Sequence, residues 1–328
     1  MANLESFSMS TETLPELDAQ YRVMREGAGL LERSERGKLL VRGGDAAEYL
    51  QGQLTKELEA LAPGRGCYAA LLDRKGHIQA DLRALRLVDG FWLDTEAAAL
   101  APLRKHLETY KIGRQVEIID RTAEDAIVSL IGPRAVEVAG VDPGEEGAHV
   151  RANPGDVPCT AVATDLGVDF VLPAADSAAL IRALLDAGAA RVGEEAAEIL
   201  RVEAGRPRFG AEMGPETMPA EAGIVERAIS FAKGCYIGQE PVARLHYRGK
   251  ANRHLRGLRL SDAAEPGDAL LLGEREVGRV GTVALSPDLG RIALAIVRRE
   301  AAPGETLAVG GRDATAEVVE LPFRAEPG

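Results

Sequence analysis

Apolar residues along the first three quarters of the chain follow two different periods. A spacing near 3.6 residues predicts amphipathic helices, and alternation with period two predicts strands. Helices are predicted over 14–31, 45–58, 96–110, 176–187, 194–204 and 238–245. Strands are predicted over 37–42, 66–72, 77–88, 91–93, 115–120, 126–131 and twice within 160–172. Residues 141–157 and 206–234, rich in Gly, Pro or acidic residues, are predicted to be loops.

The pattern changes after about residue 252. Short apolar or alternating runs, separated by turn residues at short intervals, are typical of a small all-β barrel or sandwich. The sequence therefore predicts an α+β fold in three parts. These parts are a mobile tail at 1–12, an α+β domain at 13–250 and a β-barrel domain at 251–328.

Charge and cysteine content exclude several classes of protein. The chain has 39 basic and 51 acidic residues, a net charge of −12, which disfavours a free-standing nucleic-acid binder because it repels phosphate. No apolar stretch is long enough to span a membrane, and the N-terminus lacks a secretory signal. Cys67, Cys159 and Cys235 are far apart, which argues against disulfides and indicates the reducing cytoplasm. The five histidines lack partners at ligand spacing, so no metal site is predicted.

The segment 230–244 is the most unusual stretch of the sequence. Glycines flank Cys235 and Tyr236, and Pro241 suits the first turn of a helix that begins near Gly238. This arrangement puts Cys235 just ahead of a helix N-terminus and two residues from Lys233, and both features favour a thiolate. Two interpretations stay open, namely a reactive or redox-sensitive cysteine and a small buried residue in a tight turn.

A local reversal of charge follows this segment. Residues 241–260 contain no acid, whereas they carry six basic residues: Arg244, Arg248, Lys250, Arg253, Arg256 and Arg259. A basic patch of this kind suits a carboxylate tail, a phosphate or an acidic partner. The alternative is a solvated face balanced by acids elsewhere in the fold.

Residues 233–240, with the sequence Lys-Gly-Cys-Tyr-Ile-Gly-Gln-Glu, resemble the signature of the YgfZ-type folate-binding proteins. These proteins are relatives of the glycine cleavage T-protein, an aminomethyltransferase. The likeness extends over about 20–260. The supporting segments are 49–55, 64–72, 75–83, 201–207, 219–221, 242–244 and 247–249.

The resemblance implies a folate-binding body with a central cavity, closed by a C-terminal β-barrel. It also implies a tetrahydrofolate cofactor, or a one-carbon derivative of it. Proteins of the YgfZ type assist assembly or repair of iron–sulfur clusters and support tRNA methylthiolation, so iron–sulfur client or assembly proteins are the expected partners. T-proteins instead transfer a one-carbon unit from an aminomethyl-lipoyl carrier to tetrahydrofolate.

Candidate site residues follow from the resemblance together with the chemistry of folate. Cys235 and Asp81 are the predicted catalytic residues. Glu221 is the predicted carboxylate for the donor edge of the pterin, because a carboxylate accepts a donor pair bidentately. The predicted contacts to the folate tail and rings are Arg227, Lys233, Tyr236, Arg244, Tyr247 and Arg248.

One departure from the T-protein pattern bears on the activity. T-proteins carry an adjacent acidic pair where this chain has Ala80 and Asp81. One carboxylate suffices to position a nitrogen or act as a base, but the incomplete pair weakens the case for ordinary aminomethyl transfer. Three hypotheses result: a folate-dependent iron–sulfur accessory factor, an aminomethyltransferase, and a nucleic-acid- or protein-binding module that uses the basic run.

Overall fold

Three β-structures organise the computed structural model, which describes residues 16–324: a five-stranded sheet, a six-stranded sheet and a closed barrel. The predicted mobile tail at 1–12 lies outside the described residues. The α+β class and the C-terminal barrel expected from the sequence are both confirmed. The first barrel strand begins at Arg253, just beyond the predicted division at 250/251.

Eight α-helices occur within residues 16–324, and most match a stretch of helical apolar spacing. They are α1 (Leu17–Glu26), α2 (Ala46–Gln53), α3 (Ala97–Tyr110), α4 (Ala135–Ala139), α5 (Ser177–Asp186), α6 (Glu194–Glu203), α7 (Val225–Ala228) and α8 (Gln239–Arg248). None of the helices described is long and apolar enough to cross a membrane.

Seventeen strands occur in the same part of the chain. They are β1 (Gly29–Glu32), β2 (Gly37–Arg42), β3 (Gly66–Leu72), β4 (Ile78–Arg86), β5 (Gly90–Thr95), β6 (Glu117–Asp120), β7 (Asp125–Ile131), β8 (His149–Ala152), β9 (Cys159–Ala163), β10 (Gly167–Pro173), β11 (Ala190–Arg191), β12 (Arg253–Leu260), β13 (Ala269–Leu272), β14 (Arg275–Ser286), β15 (Gly290–Arg298), β16 (Thr306–Val309) and β17 (Thr315–Val319).

The five-stranded sheet has the order β3-β4-β5-β2-β6, and all of its neighbours are antiparallel. The strands predicted over 66–72 and 77–88 pair as the β3–β4 hairpin. In its turn, the Asp73 carboxylate accepts hydrogen bonds from the backbone N–H groups of Lys75 and His77, each at 2.8 Å. Gly76 has φ +83°, a conformation that suits glycine. The Asp73 side chain thus stabilises the turn between β3 and β4.

The six-stranded sheet has the order β11-β1-β7-β10-β9-β8. Two sequence predictions were wrong here. The predicted helix over 14–31 ends at Glu26, because the chain beyond Gly27 pairs with β7 and β11 as β1. The predicted loop over 141–157 contains the edge strand β8, which pairs with β9 although its Val150 is solvent-exposed. In both cases the pairing with a distant strand decides the local structure.

The barrel closes in the order β12-β15-β14-β13-β16-β17 around an aliphatic core. It packs on the body through α6 and the loop that follows α6. The Arg201 guanidinium donates to the carboxylates of Glu198 and Glu212 and to the Thr282 hydroxyl on β14. The Glu212 side chain is fully buried. This network fixes the position of the barrel against the body.

Candidate functional site

A cavity of about 390 Å³ lies between the five-stranded and the six-stranded sheet. Charged side chains dominate its wall. Strands β3 and β4 contribute Tyr68, Asp81 and Arg83, strand β10 contributes Asp169, and Arg227 of α7 reaches it from the side. Its volume is within the roughly 300–1,000 Å³ typical of small-molecule sites. This cavity is the candidate site.

The alternation of β4 explains which side chains reach the cavity. Successive residues of a strand point to opposite faces of the sheet. Ala80 and Leu82 are 0% and 1% exposed and pack in the main apolar core of the body. Asp81 and Arg83 point the other way and line the cavity. A carboxylate at position 80 would therefore enter the apolar core.

Asp81 is the central group of the cavity. Its Oδ2 accepts a hydrogen bond from the Tyr68 hydroxyl at 2.9 Å, while its Oδ1 is buried and has no hydrogen-bond partner among residues 16–324. Burial raises the pKa of Asp81 from 3.8 to about 6, and the hydrogen bond from Tyr68 and the nearby Arg36 guanidinium only partly oppose this rise. The carboxyl group can therefore exchange a proton near neutral pH, and one of its oxygens has no donor among the described residues.

Two further arginines hold the cavity wall in place. Arg83 donates to Asp94 at 2.8 Å and to Asp169 at 2.6 Å, and it thereby joins the two sheets. Arg36 shares Asp94 at 2.8 Å and also pairs with Glu96. Both guanidinium groups are matched by carboxylates, so they rigidify the site without adding net positive charge.

Arg227 lies at the side of the cavity next to Tyr68. Its guanidinium carbon is 5.1 Å from the centre of the Tyr68 ring, a cation–π contact. The guanidinium also pairs with Glu146 and lies 3.6 Å from Asp165. Asp81 and Arg227, two residues predicted from the sequence, thus line one cavity, and both contact Tyr68.

A second hollow, of about 610 Å³, adjoins the cavity and shares Asp165 and Leu166 with it. The Glu203 carboxylate lies in its wall at the end of α6. Its Oε1 accepts hydrogen bonds from the Tyr21 hydroxyl at 3.0 Å and the Ser286 hydroxyl at 2.6 Å. The region between the sheets and the barrel therefore contains a second, partly buried carboxylate, which no sequence pattern indicated.

Glu221 is not among the residues that line either hollow. It is 8% exposed and lies where the body meets the barrel. Its oxygens accept hydrogen bonds from Arg253 at 2.8 and 2.9 Å and from the backbone N–H of Met218 at 3.0 Å. Its carboxylate is thus engaged by the protein itself.

Lys233 and Tyr236 are buried beneath the Lys-Gly-Cys-Tyr turn. The Lys233 Nζ donates to the carbonyl oxygens of Gln51, Leu54 and Lys56 at 2.6, 2.7 and 2.8 Å. Burial lowers the pKa of Lys233 to about 8 and raises that of Tyr236 to about 12. The Tyr236 ring centre lies 5.3 Å from the Lys233 Nζ. The motif lysine thus ties its own turn to the end of α2.

Cys235, Arg244, Tyr247 and Arg248 lie on the protein surface. Cys235 is exposed in the turn before α8, and the other three are exposed on α8. None of the four lines the cavity. The nine predicted site residues therefore divide into two in the cavity, three buried in structural contacts and four on this surface.

Several residues of the cavity wall were not predicted from the sequence. Tyr68, Arg36 and Asp169 come from separate strands or loops, and only the packing of the two sheets joins them. Arg83 could have been predicted from the sequence. In β4, polar residues at 79, 81 and 83 alternate with apolar residues at 78, 80 and 82, which indicates a strand with one polar face.

Comparison with known proteins agrees with this architecture. The GCVT N-terminal domain model matches residues 5–233, and the glycine cleavage T-protein C-terminal barrel domain model matches residues 253–324. An aminomethyltransferase of Rubrobacter xylanophilus is 33% identical, with 94% of this chain and 86% of that protein covered. A putative chloroplastic transferase of Arabidopsis thaliana is 28% identical, with 98% and 76% covered.

A solved structure extends the comparison to the fold. The glycine cleavage system aminomethyltransferase T from Bartonella henselae superposes with a TM-score of 0.83 at 23% identity, over 94% of this chain and 90% of that one. The resemblance to T-proteins seen in the sequence is confirmed by the two matched domains. The chain belongs to the glycine cleavage T-protein family.

Proposed function

We propose that the protein binds a reduced folate in the cavity between the two sheets and catalyses one-carbon transfer of the aminomethyl type. The observation that carries the proposal is Asp81, which lines a cavity of small-molecule size and whose buried Oδ1 has no hydrogen-bond partner in the described chain. Curated relatives at 30–33% identity are named aminomethyltransferases. Their names support this reaction class.

The residues present fit a reduced folate. Its amine and amide N–H groups are donors, and Asp81 offers an unpaired acceptor among otherwise matched charges. Glu203 offers a further carboxylate in the adjoining hollow. Arg227 would exchange its present carboxylate partners for a carboxylate of the folate tail. When bound, the folate supplies the ring nitrogens that accept a one-carbon unit.

The protein's own groups would position and move a proton. Asp81, with its pKa raised to about 6, accepts a proton at neutral pH and returns it readily. The Tyr68 hydroxyl fixes the orientation of the carboxylate, and the paired Arg36 and Arg83 keep the wall rigid. These roles require one cavity carboxylate on β4.

The loss of the adjacent acidic pair does not count against transfer. Because β4 alternates, position 80 faces the apolar core and position 81 faces the cavity. Ala80 therefore removes no carboxylate from the site. The position of Ala80 therefore supports the transferase hypothesis more strongly than the sequence alone did.

Two measurements test the proposal. Titration with tetrahydrofolate should show binding that Asp81→Asn weakens, whereas Asp18→Asn on the exposed side of α1 leaves it unchanged. Purified protein with an aminomethyl-loaded carrier and tetrahydrofolate should release ammonia, and Asp81→Asn should slow this by about 10²–10⁴-fold, as for loss of a general base. Absence of ammonia, with a known T-protein active in the same assay, would refute transfer.

A second candidate function rests on Cys235. Its exposed thiol lies in the segment 233–240, which resembles the YgfZ type, and it has no role in the cavity. We propose as the alternative a folate-binding accessory factor for iron–sulfur proteins, acting in the cytoplasm on iron–sulfur client or assembly proteins. Deleting the gene should lower the activity of iron–sulfur enzymes such as tRNA-methylthiolating ones. Full rescue by a Cys235→Ala copy would dismiss the role of the thiol.

A further inference from the structure

The exposed side of α8 and the two turns beside it form a surface that the cavity chemistry leaves unexplained. We call it the α8 surface. It carries an exposed thiol, an exposed aromatic ring and five exposed basic side chains: Cys235, Tyr247, Arg74, Lys75, Arg244, Arg248 and Lys250. None of the five basic residues forms an ion pair with any of residues 16–324.

Close backbone packing makes these parts one continuous surface. Gly238, at the start of α8, has φ +82°, and a Cβ there would lie 2.4 Å from the carbonyl oxygen of Asp73. A Cβ on Gly76 would lie 3.2 Å from side-chain carbons of Pro241 and Val242. The turn that carries Arg74 and Lys75 is therefore pressed against the turn of Cys235 and the first turn of α8.

The α8 surface is positive on a protein that is strongly negative overall. Its acidic side chains are Asp73 and Glu240, and Asp73 is already engaged by its own turn and by His77. Elsewhere some exposed arginines pair with carboxylates, as Arg42 does with Glu117 and Arg134 with Glu137, and others stand singly, as Arg22 and Arg182 do among the described residues. The α8 surface differs from these single sites because five basic side chains are grouped there in a chain of net charge −12, and such a group favours a partner of opposite charge.

We propose that the α8 surface docks an acidic polypeptide segment of a partner protein, with Cys235 at the contact. Arg244 and Arg248 are one helical turn apart, so both reach the same partner segment. Tyr247 lies between them and is 67% exposed, as is typical of an interface anchor. The proposal does not depend on what binds in the cavity.

The surface suits an acidic protein better than RNA. Single-stranded nucleic acid needs several open aromatic faces for its bases. Here the rings pack on one another. His246 stacks on Phe231 with ring centres 4.1 Å apart, and the Tyr247 ring meets Phe231 and His246 edge-on at 5.6 and 4.8 Å, so few ring faces are free for bases. A polyphosphate chain is also repelled along its whole length by the acidic remainder of the protein, whereas an acidic segment contacts the patch locally.

Thiol protection tests the proposal. The full chain is treated with iodoacetamide at low ionic strength, with and without a synthetic oligoglutamate peptide, and modification of Cys235 is followed by peptide mass spectrometry. The peptide should slow the modification, and added salt should abolish the effect. The variant R244E/R248E should weaken the protection at least about tenfold.

Matched variants separate this surface from total charge and from the cavity. R22E/R182E reverses two exposed arginines on α1 and α5 and should leave protection within about twofold. Asp81→Asn should also leave it unchanged, so failure of the folate proposal is distinguishable from failure of this one. Absence of protection, equal loss in R22E/R182E, or stronger protection by an oligouridylate of equal charge would each overturn the proposal.

Discussion

The carboxylate of Glu221 accepts two hydrogen bonds from the guanidinium of Arg253, the first residue of the barrel, at 2.8 and 2.9 Å. Beside this pair, the backbone N–H of Leu255 donates to the carbonyl oxygen of Glu221 at 2.7 Å. A proline-rich loop of the body is thereby fastened to β12. The glutamate predicted as a pterin ligand thus acts in the structure as a joint between body and barrel.

Replacing Glu221 with Ala should therefore lower stability rather than folate affinity. Loss of a partly buried, charge-assisted hydrogen-bonded pair is expected to lower the free energy of unfolding by about 1–3 kcal/mol, measured by urea denaturation. Arg275→Ala, which removes an exposed arginine paired with Glu300, should change it by less than about 0.5 kcal/mol. Loss of tetrahydrofolate binding in a folded Glu221→Ala protein would contradict this assignment.

Asp81→Asn should stabilise the protein at neutral and alkaline pH while it impairs the site. The pKa of Asp81 is raised from 3.8 to about 6, so ionisation of this group opposes folding above pH 6. The variant should be more stable by about 1–3 kcal/mol near pH 8. Its advantage should decline as pH falls through 6 and vanish near the unfolded-state value of 3.8, because the wild-type carboxyl is then protonated in both states.

Thermal unfolding of both proteins across this pH range checks the prediction. Asp18→Asn serves as the control, since Asp18 is exposed on α1. A constant difference in stability between Asp81→Asn and the wild type at all pH values would show that the Asp81 carboxyl titrates normally, and it would remove the basis for a proton-transfer role.

Lys233→Met should destabilise the protein by about 2–4 kcal/mol, because three carbonyl oxygens lose their buried donor. The pKa of Lys233 is lowered from 10.5 to about 8. The free energy of unfolding of the wild type should thus increase as pH rises from about 8 towards 10.5, because Lys233 loses its proton in the folded state first. The difference between the wild type and the variant should widen over this range. Urea denaturation at several pH values measures this. A variant as stable as wild type would show that the carbonyl oxygens find other donors.

The three cysteines should differ sharply in reactivity towards iodoacetamide. Cys235 is exposed, whereas burial raises the pKa of Cys67 to about 12 and that of Cys159 to about 11. Mass spectrometry of the folded protein should find Cys235 modified first, with Cys67 and Cys159 modified at comparable rates only in urea. Rapid modification of Cys67 in the folded state would indicate that the cavity opens to solvent more than the structure implies.

Local patterns in the sequence determined much of the secondary structure. The predicted bounds of β2 and β3 agree with the structure, because each is a short apolar run that ends at polar or turn residues. Short apolar runs and the turns between them predicted a small β-barrel or sandwich after residue 252, the resemblance implied a barrel, and the structure shows a closed barrel. Asp81 was predicted from the resemblance, and the structure places it in the cavity wall.

Tertiary structure alone decided which side chains meet. Strand β1 continues a helical apolar pattern and becomes a strand only because β7 and β11 are available to pair with it. Arg83 meets Asp169 because two sheets pack face to face, and Glu221 meets Arg253 because the barrel docks on a loop. Periodicity records the burial of each residue within its own element. The identity of a partner far along the chain depends on how the elements pack, and for that reason Glu221 and Lys233 could be singled out from the sequence but not assigned to their contacts.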